Sequence, residues 1–425
     1  MLSSAKSRLA GSVTLCLMAG LPFAAQATEG YFSLAYGTAQ RGVAGAGVAY
    51  SQDAMSSSVN PAAVASIGHE FNTGLEIFSP RRQYTASGTA MVAPGTVKSG
   101  HNYFPIPNFA YNMPLANGAV LNFAAYGNGG MNTSYPAVAN ANCASPPFPS
   151  TTGVFCDGKA GVDLNQLFLS VTYAQKMGNF SWGIAPTLAV QSFAARGINS
   201  FGGYSSDPTN LSSGEHDISS GVGLRAGVQY EVTPQFTVGL AGQTKFNMTK
   251  YDNYAGLFAD GGDFDIPASV TAGLAYKIRP DVTLLLDYQK IFYSDIPSIA
   301  NTSTTLGSVL LGSAGGPGFG WKDVEVIRLA AEWQQTPDMT WRIGYAHSTN
   351  PITSTDAMFN IFAPGVVEDH ISVGGSKTLN ARDRLDFSVS YVMANTVKGM
   401  EMAPGSSIEL KMHEVSAAIG WTRKF

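Results

Sequence analysis

Serine and histidine are the residue types of this chain that could carry nucleophilic chemistry, because a serine beside a histidine base can hydrolyse lipid esters. No Gly-x-Ser-x-Gly nucleophile elbow stands beside any histidine. The six histidines are scattered along the sequence, at His69, His101, His216, His347, His370 and His413. The sequence therefore predicts no catalytic residues, and we expect neither an enzyme nor a cofactor.

A glycine-rich stretch, Gly42-Val43-Ala44-Gly45-Ala46-Gly47, has the composition of a phosphate-binding loop. It lacks the strand-to-helix context and the downstream lysine that such a loop requires. The surrounding residues 28–68 are rich in Gly, Ala and Ser, which allow a backbone to approach other atoms closely. We expect a compact segment that packs against another part of the protein.

The first 27 residues have the pattern of a secretory signal peptide. Lys6 and Arg8 precede an apolar run at residues 9–21, and Ala25-Gln26-Ala27 supplies the small-x-small cleavage pattern. A membrane anchor is the alternative, but the run is shorter than the ~20 residues a spanning helix requires. We predict export and cleavage after Ala27.

Two cysteines, Cys143 and Cys156, remain after this cleavage, in a stretch rich in Ala, Ser, Pro and Asn. An exported chain meets an oxidising compartment, so a disulfide between them is the natural interpretation. Metal binding would require further ligands nearby, and none is present in this stretch.

Composition indicates that apolar residues are spread as alternation. The chain of 425 residues is 45% hydrophobic, 11% aromatic and only 13% charged. Beyond the signal peptide no apolar run approaches the ~20 residues of a membrane helix. The net charge of −4 argues against nucleic-acid binding, which requires a basic face.

Residues 69–425 divide into alternating segments of about ten residues, the length at which a tilted strand crosses a bilayer. Short connections rich in Pro, Gly, Asn and Asp are expected to face the periplasm, and long ones the outside. The alternative, a soluble β-sandwich, has shorter strands. We predict fourteen strands, at residues 71–78, 103–113, 118–127, 164–176, 180–193, 218–232, 236–248, 266–278, 282–293, 324–335, 339–348, 370–379, 384–394 and 411–425.

The alternation assigns one face of each strand to lipid and the other to the lumen. In the segment 218–231, Ile218, Val222 and Leu224 oppose Ser219 and Arg225. The terminal aromatic Phe425 ends another alternating segment, as in the last strand of outer-membrane barrels. The fold class predicted is therefore all-β, a closed antiparallel transmembrane barrel.

The chain resembles the FadL/TodX (OmpP1-like) family of outer-membrane transporters for long-chain fatty acids and other hydrophobic compounds. The resemblance covers nearly the whole chain after the signal peptide. It rests on the order and spacing of several short motifs, which are Asn60-Pro61-Ala62, Asp265-Ile266-Pro267-Ala268-Ser269, Gly320-Trp321-Lys322-Asp323, Arg342-Ile343-Gly344-Tyr345-Ala346 and Asn350-Pro351-Ile352.

This resemblance implies that residues 28–68 plug the barrel 69–425 as a hatch. It also implies an outer hydrophobic groove, an apolar pocket, and a sideways exit through an interrupted strand. Candidate interruptions are Gly127-Asn128-Gly129-Gly130 and Pro105-Ile106-Pro107, since two prolines do not fit a central strand.

Several hatch and wall residues are candidates for substrate contact. In the hatch, Phe32 and Leu34 could line the pocket, with the Asn60-Pro61-Ala62 turn fixing the plug against the wall. On the strands, lumen-facing cations could bind a carboxylate or simply pair with acidic residues such as Asp287 or Glu332. These cations are Arg225, Lys277, Arg328 and Arg342. Aromatic residues at the outer strand ends are expected in the interface belt, or in a collecting groove, and are Phe258, Phe264, Phe292 and Tyr293.

We expect a monomer in the outer membrane of a Gram-negative bacterium, surrounded by membrane lipid and lipopolysaccharide and inserted by the barrel assembly machinery through its last strand. Uptake is expected to be driven by the substrate alone. The expected cargo is a long-chain fatty acid, with an aromatic hydrocarbon as the alternative. A general diffusion porin or a structural surface protein remains a further alternative.

Overall fold

The computed structural model describes residues 28–144, 146–401 and 405–425. The signal peptide predicted for residues 1–27 lies outside them. The strands are β1 (Glu70–Ser87), β2 (Gly95–Lys98), β3 (Phe104–Pro114), β4 (Ala119–Asn132), β5 (Gly161–Met177), β6 (Phe180–Arg196), β7 (Asp217–Thr233), β8 (Phe236–Gln243), β9 (Asn247–Met248), β10 (Ser269–Arg279), β11 (Val282–Ile291), β12 (Val324–Thr336), β13 (Met339–Ser348), β14 (Asp369–Thr378), β15 (Asp383–Gly399) and β16 (Ser407–Lys424).

Fourteen of these strands form a closed antiparallel barrel, as predicted. Each wall strand pairs with its neighbours in sequence, and β16 returns to pair with β1 from Glu70↔Lys424 to Ser87↔Ser407. The remaining two are short: β2 extends a hairpin from β1, and β9 pairs with β7 outside the main path. Closure gives every wall strand a neighbour on both sides over at least part of its length, which is how a sheet satisfies its backbone in a membrane.

The two faces of the wall follow the predicted alternation. In β7, Ile218 and Val222 are 59% and 69% exposed on the outside, whereas Ser219 and Arg225 are buried inside. The six shortest connections between wall strands lie together at one end of the barrel, which is also the end of β1 and β16 that carries Glu70 and Lys424. We call it the short-turn end, and the opposite one the long-loop end.

Helices are short and lie in the amino-terminal segment and the long loops. Among the described residues, no helix is long and apolar enough to cross a membrane. The α-helices are α1 (Thr38–Gly42), α2 (Ala259–Gly262) and α3 (Pro297–Ala300), and the 3₁₀ helices are Ala54–Ser58, Pro61–Ser66, Asn199–Tyr204, Pro208–Asn210, Asp252–Tyr254, Tyr293–Asp295, Ser303–Thr305, Ser354–Asp356 and Phe359–Ile361.

Residues 28–68 lie against the inward faces of wall strands on several sides. Helix α1 contacts β14 and β15, and the 3₁₀ helix Pro61–Ser66 contacts β5, β6 and β7. Wall glycines permit this approach: a Cβ on Gly239 would lie 2.3 Å from the Val48 carbonyl oxygen, and one on Gly344 would lie 2.3 Å from the Val43 carbonyl carbon. The small residues noted in the segment therefore meet small residues in the wall.

Candidate functional site

Three cavities lie among the long loops, in the lumen and beside the barrel wall. The loop cleft holds about 550 Å³ and the lumen pocket about 510 Å³ of empty space, while the wall pocket beside β3 and β4 holds about 360 Å³.

The loop cleft lies among the long loops and is lined almost wholly by apolar side chains. Its lining includes Phe193, Phe201, Leu257, Phe258, Phe319 and Phe359. Phe258, Phe264 and Tyr293 are at most 3% exposed. Their predicted place in an interface belt is therefore wrong, because the long loops fold over the barrel mouth and bury these rings in one core.

A disulfide and a buried carboxylate hold the long loops in place. The predicted disulfide between Cys143 and Cys156 is present. The buried Asp356 carboxylate accepts from the Ser303 backbone N–H (2.7 Å) and from the hydroxyls of Thr302 (2.8 Å) and Thr353 (2.6 Å). Burial acts to raise the pKa of Asp356, but these hydrogen bonds outweigh it and hold the pKa below its ordinary value.

An aromatic cluster lies beside the loop cleft and anchors the chain's first described residues. The Tyr293 hydroxyl donates to the Glu29 carbonyl (2.7 Å) and accepts from the backbone N–H groups of Tyr31 (3.0 Å) and Phe32 (3.3 Å). Burial raises the pKa of Tyr293 well above its ordinary value, so the hydroxyl keeps its proton. The Trp321 ring packs edge-on against Tyr293, with ring centroids 5.3 Å apart.

The barrel wall is interrupted between β3 and β4. Their ladder runs only from Pro114↔Val120 to Asn108↔Tyr126. Beyond this point, among the wall strands, β3 pairs only with β1 and β4 pairs only with β5. The interruption coincides with both predicted segments: Pro105 and Pro107 lack backbone donors on β3, and the ladder of β4 has a bulge between Gly127 and Gly129.

The amino-terminal segment pairs with the free edge of β4 at this wall gap. Ser33 donates its backbone N–H to the Asn128 carbonyl (3.0 Å), and Gly130 donates to the Tyr31 carbonyl (2.8 Å). A Cβ on Gly129 would lie 1.9 Å from the Tyr31 oxygen, so this position requires glycine. The adjacent wall pocket is lined mainly by apolar groups, including Phe78, Phe104, Met131, Trp321, Phe362 and Met412.

The lumen pocket brings together two of the predicted cations and one predicted hatch residue. Leu34, Arg225 and Arg328 all line it, with Tyr36 and several polar wall side chains. Arg225 donates to the Tyr126 hydroxyl (2.6 Å) and to the Ser57 carbonyl (3.2 Å).

Arg328 is the second cation of this pocket, and it is ion-paired. Its Nη2 lies 2.6 Å from each carboxylate oxygen of Glu29. The Nε–H groups of Arg225 and Arg328 are buried and have no acceptor among the described residues.

The remaining predicted cations lie apart from this pocket. Arg342 is buried and pairs with Glu332 (2.6 Å), its direct neighbour on β12, and with Ser376 (2.6 Å) on β14, so it pairs with an acidic residue as the alternative expectation held. Lys277 is exposed near the short-turn end, because β10 extends there beyond the residues that fill the lumen. It does not line the lumen pocket. Phe32 is buried in the aromatic cluster and pairs with Gly129 at the wall gap.

The Asn60-Pro61-Ala62 turn contacts both the segment and the wall. The Asn60 amide donates to the carbonyls of Val48 (2.7 Å) and Val228 (3.1 Å), and its oxygen accepts from the Ala62 N–H (2.9 Å). Tyr31 and Trp321 were not proposed as site residues from the sequence. The available signal was their position beside Phe32 and within the Gly320-Trp321 motif.

Comparison with known proteins agrees with this architecture. The sequence model of the family described as outer membrane protein transport protein (OMPP1/FadL/TodX) matches residues 166–422, more than half of the chain. The chain belongs to this family. It is therefore one of the family's outer-membrane barrels for transport of hydrophobic compounds, and the recognised members are channels rather than enzymes. A search of curated proteins finds no match.

Solved structures show the same fold at low sequence identity. The toluene transporter TodX of P. putida is 15% identical, with a TM-score of 0.66 over 92% of this chain and 99% of that chain. The toluene transporter TbuX of Ralstonia pickettii is 18% identical, with a TM-score of 0.65 over 92% and 99%. A FadL homologue of Pseudomonas aeruginosa is 15% identical, with a TM-score of 0.67 over 93% and 100%.

Proposed function

We propose that this protein takes up hydrophobic molecules, foremost long-chain fatty acids, across the outer membrane of a Gram-negative bacterium. The process is passive: a gradient of substrate drives it, and the long-loop end faces the outside. The protein acts as a monomer, exported by its signal peptide and inserted through its last strand by the barrel assembly machinery. Residues 28–68 act as the hatch of the channel.

The route proposed runs from the loop cleft past the aromatic cluster to the lumen pocket, and leaves by the wall gap. A hydrocarbon chain gains about 0.8 kcal/mol for each methylene removed from water. Passage through a series of apolar sites therefore costs the chain less free energy than passage through a water-filled bore. At the wall gap, the missing β3–β4 ladder and the largely apolar wall pocket support a sideways exit into lipid.

The observation that carries the choice of a carboxylate cargo is the pair of guanidinium groups in the lumen pocket. Arg225 has no carboxylate partner among the described residues, and the Nε–H of Arg328 lacks an acceptor despite its ion pair with Glu29. Leaving a buried charged donor unpaired is unfavourable. A fatty-acid headgroup would supply acceptors there, while its tail lies toward Leu34 and the wall pocket.

A second candidate cargo is a monoaromatic hydrocarbon. The lining of the loop cleft is rich in phenylalanine, and such a cleft binds neutral rings as readily as aliphatic chains. Two of the similar structures are toluene transporters, although their likeness to this chain establishes the fold alone.

Binding measurements on the purified full-length protein separate the two cargoes. We expect palmitate to bind more tightly than toluene, and Arg225→Gln to weaken palmitate about tenfold or more, the effect of a charged hydrogen bond of roughly 1.5–3 kcal/mol. Toluene binding should not change. The matched control is Lys277→Gln, which removes the same charge outside the pocket. Tight toluene binding without palmitate binding would favour the hydrocarbon channel.

A further inference from the structure

Four basic side chains form a patch on the outer surface near the long-loop end of β1, β2 and β16. In the β1–β16 ladder Arg81 lies opposite His413. At the next outward position, Gln83 pairs with Lys411 on one side and Lys98 on the other. We call these four residues the outer basic patch. They line a recess of about 1170 Å³ together with Ser99, Asn102 and Tyr391.

The outer basic patch continues the lipid-facing rows of the same strands. On β1, Ile77 is 43% exposed and belongs to the same alternating row as Arg81. On β16, Val415 is 43% exposed. His413 and Lys411 lie in the same outward-facing row, closer to the long-loop end. The apolar band thus ends where the basic side chains begin. In a membrane this is the level at which acyl chains give way to headgroups.

In the described part of the chain, the outer basic patch is not neutralised by a carboxylate. Among the described residues, none of its four basic side chains has an acidic oxygen within ion-pair distance. The nearest outward acid on β16 is Glu409, and it pairs with Lys398 at 3.4 Å. At the short-turn end, by contrast, exposed cations such as Arg279 have acidic partners.

Clustered like charges, here Arg81, Lys98 and Lys411, destabilise paired strands unless something compensates them. Arg81 and His413 face each other directly, and Lys411 follows two residues from His413 on the same face. Arg81 is oriented by the Tyr103 hydroxyl, to which it donates at 2.8 Å, and its guanidinium lies 5.1 Å from the Tyr103 ring centroid. A neutral phenol leaves the charge of this side chain available to an anion.

We propose that the outer basic patch binds the phosphate groups of a glycolipid in the outer leaflet, the bisphosphorylated lipid A part of lipopolysaccharide. Arg81 and the two lysines hold the phosphates, and Tyr391 packs at the boundary below them. The acyl chains lie along the apolar rows of β1, β15 and β16. This inference rests on the proposed outer-membrane location, but it does not depend on which cargo the channel carries.

The test is lipid binding to detergent-purified full-length protein, followed by native mass spectrometry. The probes are bisphosphorylated lipid A, monophosphorylated lipid A and phosphatidylcholine. We expect preference for the bisphosphorylated form. The triple variant Arg81→Gln, Lys98→Gln, Lys411→Gln should bind it on the order of 100-fold more weakly, at roughly fivefold per cation.

A matched control removes three exposed cations from the short-turn end, in Lys176→Gln, Arg279→Gln and Lys377→Gln. It should bind lipid A like the wild type. Equal loss in the control, unchanged binding by the patch variant, or equal binding of all three lipids would overturn the proposal. Complete competition by inorganic phosphate would also overturn it in favour of a free-phosphate site.

Two further measurements keep the result independent of folding and of cargo. If the triple variant fails to fold, Lys411→Gln alone and the salt dependence of wild-type binding decide the question, because a phosphate site must weaken as salt rises. Palmitate binding is measured on the same samples. Its loss would concern the transport proposal, whereas loss of lipid A preference concerns only the patch.

Discussion

Replacing wall glycines that face the amino-terminal segment should open the channel to water. We choose Gly239→Ala with Gly344→Ala, because the added methyl groups would each lie 2.3 Å from backbone atoms, of Val48 and Val43 respectively. Ordinary contacts of a Cβ are longer than about 3.4 Å, so the segment must shift by about 1 Å at two places.

The magnitude follows from the cost of overpacking, about 1–3 kcal/mol at each site. For the double variant this amounts to roughly 2–6 kcal/mol, and even 3 kcal/mol shifts the ratio of closed to displaced segment more than 100-fold. Both glycines lie within strands and neither has a positive φ, so alanine itself fits the backbone. The barrel wall should therefore remain intact.

The assay is ion conductance in planar bilayers together with sugar-driven swelling of liposomes. Wild-type protein should be closed to both solutes, and the double variant should pass both. The control pair is Gly68→Ala with Gly203→Ala, where an added Cβ meets nothing within 4 Å. Heat-modifiable gel migration reports folding. A folded double variant that stays as tight as the wild type would refute the idea that residues 28–68 close the bore.

Three further predictions concern the wall gap and the loops. Pro105→Val with Pro107→Val restores two backbone N–H donors, each worth about 0.5–1.5 kcal/mol in a hydrogen bond, and should help to close the wall gap. Palmitate uptake by cells that lack their own transporter should then fall about tenfold. Unchanged uptake would place the exit elsewhere. Cys143→Ser with Cys156→Ser should make the β4–β5 loop more sensitive to protease, since a loop of this length is stabilised by about 3 kcal/mol through such a bond; equal cleavage rates would contradict this. The pKa of Asp356 is lower in the folded protein than its ordinary value. The carboxylate therefore contributes stability above its ordinary pKa, and this stability is lost as the pH falls through the lower, folded pKa. Faster hydrogen exchange at the Ser303 amide should report this loss at low pH, and Asp356→Asn should abolish the pH dependence.

The strands were predictable because alternation in a membrane barrel is imposed by lipid on one side and a filled lumen on the other. The predicted bounds of β13 match Met339–Ser348, and all fourteen wall strands were found. By contrast, β1 was predicted to end at residue 78 but extends to Ser87. Above the apolar band its outward residues become polar, so the hydrophobic alternation fades while the hydrogen-bonded ladder continues.

The site was less predictable, because its contacts join residues far apart in sequence. Nothing local indicates that Glu29 pairs with Arg328, which lies 299 residues away. Arg225 faces the lumen as its place in the alternation predicts, yet Lys277 follows the same alternation and is exposed at the barrel end. The wall gap was suggested by local signals, since missing donors at Pro105 and Pro107 disturb a ladder wherever it lies.

The central claim is that an apolar molecule occupies a route inside this barrel while water does not fill it. The most direct test is a crystal structure of the protein soaked with a palmitate brominated at its methyl end, located by anomalous scattering. We expect the carboxylate beside Arg225 and Arg328, with bromine in an apolar part of the route. A lumen filled by continuous water from mouth to mouth, without bromine signal, would contradict it and favour a diffusion pore.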